Sequence, residues 1–155
     1  MTKLNRRVVV LAAVACLSAP LTASAADHGT KDEAKALAAK AAAQFKEKGE
    51  STFALFNDKK GPFVDRDLYV FVLDPEGKVL AHGANEKLVG KSLSQLKDAN
   101  GKPFVQDMMA LVKSSKSGWV EYRWPNPVSK EIEDKTTYVI SQGGIGFAVG
   151  AYAGK

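Results

Sequence analysis

The residues best suited to binding chemistry are an aromatic strand and a lysine that follows it. Residues 119–124 read Trp-Val-Glu-Tyr-Arg-Trp, and strand alternation places Tyr122 and Trp124 on the same face. Lys135 opens the next predicted strand, and Tyr138 follows three residues later. If these strands are neighbours, aromatic rings and one ammonium group converge near one end of a sheet. Apolar walls, aromatic hydroxyls and one cation form a pocket that suits a small carboxylate.

A plainer interpretation of the same residues stays open. Tyr122 and Trp124 can be core residues whose polar tips are satisfied internally, with Lys135 left as a solvated surface cation.

The sequence offers few residues that could act in catalysis or bind a metal. The histidines are His28, in a predicted frayed tail, and His82, and no cysteine follows Cys16. The sequence lacks G-x-S-x-G, H-E-x-x-H and C-x-x-C, and its glycine-rich stretch 143–146 precedes a strand rather than a helix. We therefore predict a protein that is not an enzyme and that holds no metal or cofactor. An enzyme that uses His82 is the alternative.

Charge gives no support to a nucleic-acid partner. The chain has 155 residues, a net charge of +5 and a pI near 9.3, but its lysines alternate with carboxylates, as in residues 130–135. Dispersed charges of this kind are typical of a solvated surface. Removing Lys3, Arg6 and Arg7 with the N-terminal segment leaves 19 basic residues against 17 acidic ones.

That N-terminal segment has the order of a secretion signal. A basic start precedes the apolar run 8–17 and the small-residue site Ala23-Ser24-Ala25. We predict a signal peptide over residues 1–25, cleaved before Ala26, and a periplasmic domain over 26–155. An uncleaved inner-membrane anchor is the alternative. Lipidation at Cys16 is disfavoured, because Ala13 stands where such sites have leucine.

The helices and strands that position these residues are predicted from hydrophobic periodicity and from capping and turn residues. Thr30 and Glu33 predict a capping box for a helix over 27–48, which has an alanine-rich apolar stripe and ends before Gly49. Further helices are predicted over 51–57, 93–97 and from Pro103 to about Ser115. The predicted strands are 68–73, 78–82, 118–124, 135–142 and 145–152. Short turns between the strands predict an α+β fold with an antiparallel five-stranded sheet and helices on one side.

Several segments together resemble the single Cache domain of the second type, an extracytoplasmic sensor domain of bacterial chemoreceptors and sensor kinases. The resemblance lies in residues 67–74, 77–83, 88–91, 98–102, 118–125, 135–139 and 149–152. It implies a PAS-like sheet behind a long N-terminal helix and a pocket for a small ligand, often a short carboxylate. The positions that match the pocket side are His82, Tyr122, Trp124, Lys135, Tyr138 and, as a further possibility, Tyr69.

The roles expected of these residues follow from their chemistry. Lys135 is expected to be the charge partner of the ligand, Tyr122 and Tyr138 hydrogen-bond donors, Trp124 an apolar wall and His82 a polar group at the rim that titrates near neutral pH.

The chain ends at Lys155, soon after the last predicted strand, whereas receptors of this family continue into a second membrane span. We therefore expect a free-standing periplasmic binding protein that assists a membrane sensor or transporter. The alternative is an envelope interaction protein with a closed pocket. A homodimer through the helix Thr30 to Lys48 is a further prediction.

Overall fold

The structure of the protein is a computed structural model that describes residues 28–154. The predicted signal peptide, its cleavage site and Cys16 lie outside the described residues.

Three α-helices, two 3-10 helices and six strands make up residues 28–154. In chain order they are α1 (Lys31–Lys48), a 3-10 helix (Gly49–Thr52), α2 (Phe53–Asn57), β1 (Val64–Asp65), β2 (Leu68–Leu73), β3 (Val79–His82), a 3-10 helix (Glu86–Leu88), α3 (Phe104–Lys113), β4 (Ser117–Pro125), β5 (Ile132–Gln142) and β6 (Ile145–Tyr152).

The strands form an antiparallel sheet in the order β1-β2-β6-β5-β4, with β3 also paired to β2. The α+β fold with a long N-terminal helix is confirmed, and the sheet has six strands rather than five. The additional strand, β1, has two residues, so it carries no periodicity that a sequence pattern could detect.

Helix α1 begins as its sequence indicates. The Thr30 hydroxyl accepts from the Glu33 backbone N–H, and the Glu33 carboxylate accepts in return from the Thr30 backbone N–H at 2.8 Å. The alanine stripe packs on the sheet and is buried at Ala34, Ala38 and Ala41. The small side chains let the helix axis approach the strands closely, so the domain's own core occupies this stripe.

The predicted helix over 93–97 is wrong. This stretch instead adds backbone pairing to the β2–β3 hairpin, since the Leu93 N–H donates to the Gly77 carbonyl at 2.8 Å and Lys78 forms a bridge with Ser92. A helical turn there would withdraw these groups from the hairpin.

The sheet separates two cores, so the prediction that the helices lie on one side of the sheet is wrong: α1 packs on one face and α3 on the other. The α1 face, defined here by Val70, Val72, Phe147 and Val149, packs under helix α1. The α3 face packs under helix α3 and the loops before it; its members include Tyr69, Phe71, Tyr122, Val139 and Tyr152. Within residues 28–154, no helix is both long enough and apolar enough to cross a membrane.

Candidate functional site

Lys135 lies on the α3 face, at the centre of an aromatic cage. Its side chain is only 1% exposed, and its Nζ donates to the Tyr69 hydroxyl at 2.7 Å. The ammonium lies 4.0 Å from the ring centroid of Tyr69, 4.6 Å from that of Tyr152 and 5.6 Å from that of Phe71. The interpretation of Lys135 as a solvated cation is therefore wrong, because the β5 register turns it into the core.

The charge of Lys135 has no direct counterion. Within residues 28–154, no carboxylate oxygen lies within 4.0 Å of its Nζ. Burial lowers the pKa of Lys135 well below its usual value, and the more distant charge of Asp67 only partly opposes this effect. Cation–π contacts compensate part of the lost hydration. An anion placed nearby would stabilise the charged form further.

The hydroxyl groups beside Lys135 form a chain whose proton directions can be assigned. The Tyr152 hydroxyl donates its single proton to the Pro125 carbonyl at 2.9 Å. It must therefore accept at 3.2 Å from the Tyr69 hydroxyl, which in turn accepts from Lys135. Burial raises the pKa of Tyr69 to about 12, and it also raises that of Tyr152, so both phenols stay protonated. The chain links Lys135 to the loop that follows β4.

His82 closes the other side of the Tyr69 ring. Their centroids lie 5.0 Å apart, and His82 is 4% exposed. Its Nδ1 accepts from the backbone N–H of Asn85 at 2.9 Å and of Ala84 at 3.2 Å, so the proton of the neutral ring resides on Nε2. Burial, aided by the charge of Lys135, lowers the pKa of His82 to about 3. The expected rim position and near-neutral titration are therefore wrong, because the side chain is buried.

A cavity of about 270 Å³, called here the inner cavity, opens beside these two rings. Its lining comprises Tyr69, His82, Ala84, Asn85, Leu88, Trp124, Pro125, Asn126, Pro127 and Lys130. Pockets for drug-sized ligands span about 300–1,000 Å³, so this volume lies just below that range and suits a small molecule. Trp124 forms part of the wall of this cavity, and its role towards a ligand stays a prediction.

Tyr122 lies deeper in the core than predicted. Its ring stacks on Phe104 with centroids 4.1 Å apart and an interplanar angle of 5°, and its hydroxyl pairs with Thr137 Oγ1 at 3.0 Å. It is absent from the lining of the inner cavity. For Tyr122 the plainer interpretation holds: it is a core residue whose polar tip is satisfied. Phe104 also contacts Trp124, so Tyr122 supports the cavity wall from behind.

Tyr138 is not part of this cluster. In the β5 register Tyr138 pairs with Val149, whereas Lys135 pairs with Tyr152, and an odd separation within a strand places the two side chains on opposite faces. The Tyr138 hydroxyl donates to Ser117 Oγ at 3.1 Å, and its ring packs on Trp119 at 4.7 Å. The predicted convergence of Tyr138 with Lys135 is wrong.

A buried polar cluster beside the inner cavity escaped the sequence patterns. Asp67 is fully buried and accepts from the Gly29 N–H at 2.7 Å and from Asn126 Nδ2 at 3.2 Å. His28 Nδ1 lies 2.7 Å from the same carboxylate, so His28 does not belong to a frayed tail. Asn126 Nδ2 also donates to Glu133 at 3.1 Å. The cluster ties the loop after β4 to the segment that enters α1.

Two signals in the sequence point to this cluster after the fact. Asp67 directly precedes an entirely apolar strand, and Asn126 stands between two prolines, where its amide can organise a turn. The Asn126 Oδ1 indeed accepts from the Val128 N–H at 2.8 Å and from the Ser129 N–H at 3.3 Å.

Lys135 reaches Tyr69 by passing over a glycine on β6. A Cβ added at Gly150 would lie 2.2 Å from Lys135 Cε and 2.3 Å from Thr137 Oγ1. Only glycine leaves room for the lysine stem here.

Comparisons with known proteins agree with this architecture. Over 75 residues the chain is 37% identical to the methyl-accepting chemotaxis protein McpP of Pseudomonas putida, a match that covers 48% of this chain and 14% of that receptor. The structure is similar to a periplasmic sensor domain of a chemotaxis protein, with a TM-score of 0.62, 27% identity and coverage of 79% of this chain and 90% of that one.

A Cache chemosensory domain solved to explain carboxylic acid recognition is also similar. Its TM-score is 0.61, with 28% identity and coverage of 79% of this chain and 88% of that one. The sequence profile described as Single Cache domain 2 matches residues 7–153, so the chain belongs to the Single Cache domain 2 family.

Proposed function

We propose that this domain is a periplasmic, non-enzymatic sensor module that binds a short carboxylate in the inner cavity and acts with a membrane signalling or transport partner. The observation that carries the proposal is the buried Lys135 ammonium, which lacks a carboxylate counterion within residues 28–154 and stands directly behind the Tyr69 ring. A carboxylate is the ligand that such a charge favours.

The surrounding groups support an anionic ligand. Tyr69 holds the Lys135 ammonium beside the cavity by accepting its hydrogen bond, and the neutral His82 ring offers an Nε2–H donor. Trp124 supplies an apolar wall for the short carbon chain. Neither ring changes its protonation state near neutral pH, since the pKa of Tyr69 is raised to about 12 and that of His82 is lowered to about 3. Any pH dependence of carboxylate binding near neutral pH should therefore come from Lys135, whose pKa is lowered by burial.

The relatives agree with a sensor role. Cache domains are extracytoplasmic sensor domains, and one structural relative recognises a carboxylic acid. The match to McpP spans only 14% of that receptor, so the partner and the output of the present chain belong to the proposal.

The experiment is a thermal-shift and calorimetric screen with acetate, propionate and butyrate beside amino acids, amines and purines. A ligand that binds only the folded domain raises its stability, by about 2.7 kcal/mol at a concentration of 100 times Kd. Lys135→Met keeps an unbranched chain over Gly150 but removes the charge, and should abolish the carboxylate shift. Lys97→Met, at an exposed lysine, should leave it unchanged. Undiminished binding to Lys135→Met would refute the charge-partner role.

One observation favours the alternative of an interaction protein with a closed pocket: Lys135 and both phenols already satisfy one another internally. In that case no compound of the screen shifts the wild-type domain, while an envelope protein copurifies with it.

Native mass spectrometry of the exported protein would test the remaining predictions together. It reports whether residues 1–25 are removed, whether two copies pair and whether a ligand is retained. A homodimer through α1 would have to use the exposed side of that helix, because Ala34, Ala38 and Ala41 are fully buried against the sheet.

A further inference from the structure

A second cavity adjoins the inner cavity. This outer cavity has a volume of about 340 Å³ and shares Tyr69, Ala84, Pro127 and Lys130 with the inner one. Its remaining lining residues are Lys59, Val64, Arg66, Gly83 and Val128. The two cavities thus form one cleft that leads from the buried Tyr69 ring to the surface.

The cleft carries cations without matching carboxylates. Among its lining residues, all within the described part of the chain, none is Asp or Glu. Arg66 is neutralised by Glu33 at 2.8 Å and Asp65 at 2.7 Å. Within residues 28–154, Lys59 and Lys130 form no ion pair with a carboxylate. Two positive charges therefore face the outer part of the cleft.

Lys130 is held in place by the loop after β4. Its N–H donates to the Asn126 carbonyl at 3.0 Å, its Nζ donates to the Pro127 carbonyl, and its backbone adopts the left-handed region with φ 66°. Asn126 is only 1% exposed and is fixed from below by Asp67 and Glu133. The lysine therefore projects from an ordered turn at the boundary between the two cavities.

We infer that the cleft selects an acid with two anionic groups, one beside Tyr69 and His82 and the other at Lys130 and Lys59. This inference rests on the proposed function and refines its ligand class to short dicarboxylates or similar dianions. Lys59 and Lys130 set the outer end of the cleft. Lys135, which lies behind Tyr69 rather than in the lining, acts on the inner end, and the apolar residues Trp124 and Pro127 line the path between them.

The test compares chain-matched acids by calorimetry: propionate with malonate, butyrate with succinate, and valerate with glutarate. An exposed ion pair is worth about 0.2–1 kcal/mol, so at least one dianion should bind up to about fivefold more tightly than its monoanion for each lysine engaged. The advantage should shrink as salt rises from 0.05 to 0.5 M, because exposed charges are screened.

The variants separate this inference from the proposed function. Lys130→Asn removes the charge with a residue that tolerates positive φ, and Lys59→Gln removes the second charge. Both should reduce the dianion advantage severalfold. Lys59→Gln, which lies outside the lining of the inner cavity, should leave the monoanion affinity unchanged, whereas Lys97→Gln should change neither affinity.

Equal or weaker binding of every dianion by the wild type would overturn the inference while the proposed function stands. So would a dianion advantage that survives in the Lys130→Asn, Lys59→Gln double variant. If neither series of acids binds, the proposed function fails and the inference fails with it.

Discussion

The two faces of the sheet are formed by the same strands but bury side chains of different chemistry. Under α1 the core is built from aliphatic and phenyl groups such as Val70, Val149 and Phe147, all fully buried. The α3 face instead buries the polar side chains of Lys135 and Tyr69, which are only 1% and 2% exposed. Hydrophobic burial needs only shape, whereas buried polar groups need partners with defined directions. The α1 face therefore supplies stability, and the proposed function assigns ligand recognition to the α3 face.

The largest expected effect is on the α1 face. Phe147 is fully buried and packs against Phe45 at 5.0 Å and Phe56 at 6.2 Å. Phe147→Ala should lower the free energy of unfolding by about 3–5 kcal/mol, because a large cavity remains. Urea denaturation measures the loss. Carboxylate affinity of the folded variant should equal that of the wild type, and a large change in affinity would contradict the division between the faces.

The next effect concerns the buried polar cluster. Asp67→Ala leaves the Gly29 N–H without its acceptor and removes one acceptor of Asn126, which should destabilise the domain by about 2–3 kcal/mol. Asp65→Ala is the matched control, because Asp65 is exposed and pairs only at the surface with Arg66. Its effect should stay below about 1 kcal/mol. Similar losses in the two variants would show that the cluster contributes little.

Between pH 7 and 5 the largest pH dependence of stability should come from His82, whose ring packs on Tyr69 and Phe71 of the α3 face. His82 has a pKa of about 3 in the folded domain, against about 6.5 when unfolded. The unfolded chain therefore binds the proton first, so this contribution to stability is complete above pH 6.5 and falls as the pH drops towards 3. Between pH 7 and 5 the loss should be about 2 kcal/mol. His82→Asn keeps an acceptor for the Ala84 and Asn85 N–H groups and should remove this loss, as urea titrations at both pH values would show.

A small effect on stability is expected from the replacement of Lys135, although it is a buried cation. Lys135→Met should change the free energy of unfolding at pH 7 by less than about 1 kcal/mol, or raise it, because it removes a buried charge that lacks a counterion. The free energy of unfolding of the wild type should rise relative to that of the variant as the pH increases from 7 towards 10. The reason is that the lowered pKa of Lys135 lets the folded state release this proton before the unfolded state does.

Tyr138→Phe tests whether Tyr138 lies on the α1 face, and its expected effects on stability and ligand affinity are small. It should alter both stability and ligand affinity by less than about 0.5 kcal/mol, because the Tyr138 hydroxyl bonds only Ser117 at an exposed site. Tyr69→Phe, by contrast, should weaken carboxylate binding. A loss of binding in Tyr138→Phe would contradict the placement of that residue on the α1 face.

Much of the fold was predictable because it depends on local patterns. The capping box at Thr30, the apolar strand 68–73 and the glycine hairpin 143–144 each carry their information within a few residues. Lys135 was singled out from its neighbours in sequence, but its burial depends on Tyr152 and Gly150, which pairing across the sheet brings to it. The parity of positions 135 and 138 does follow from alternation alone, and should have separated Tyr138 from Lys135 at once.

The Asp67 cluster could not be predicted in this way. Its members come from four separate segments, around residues 28, 67, 126 and 133, and each of these residues is common in loops or on exposed surfaces. Only the packed structure shows that their polar groups satisfy one another. The same holds for the His82 tautomer, which is set by two backbone N–H groups in the following turn.

The bare backbone at Gly150 has a consequence for how this sequence can vary among relatives. Because the Lys135 side chain occupies the space that a Cβ at position 150 would need, substitutions at these two positions are coupled. A lineage that replaces this glycine must first shorten or remove the lysine, and must also make room beside Thr137, whose Oγ1 would lie 2.3 Å from the added Cβ. Aligned homologues should therefore show glycine at 150 wherever lysine stands at 135.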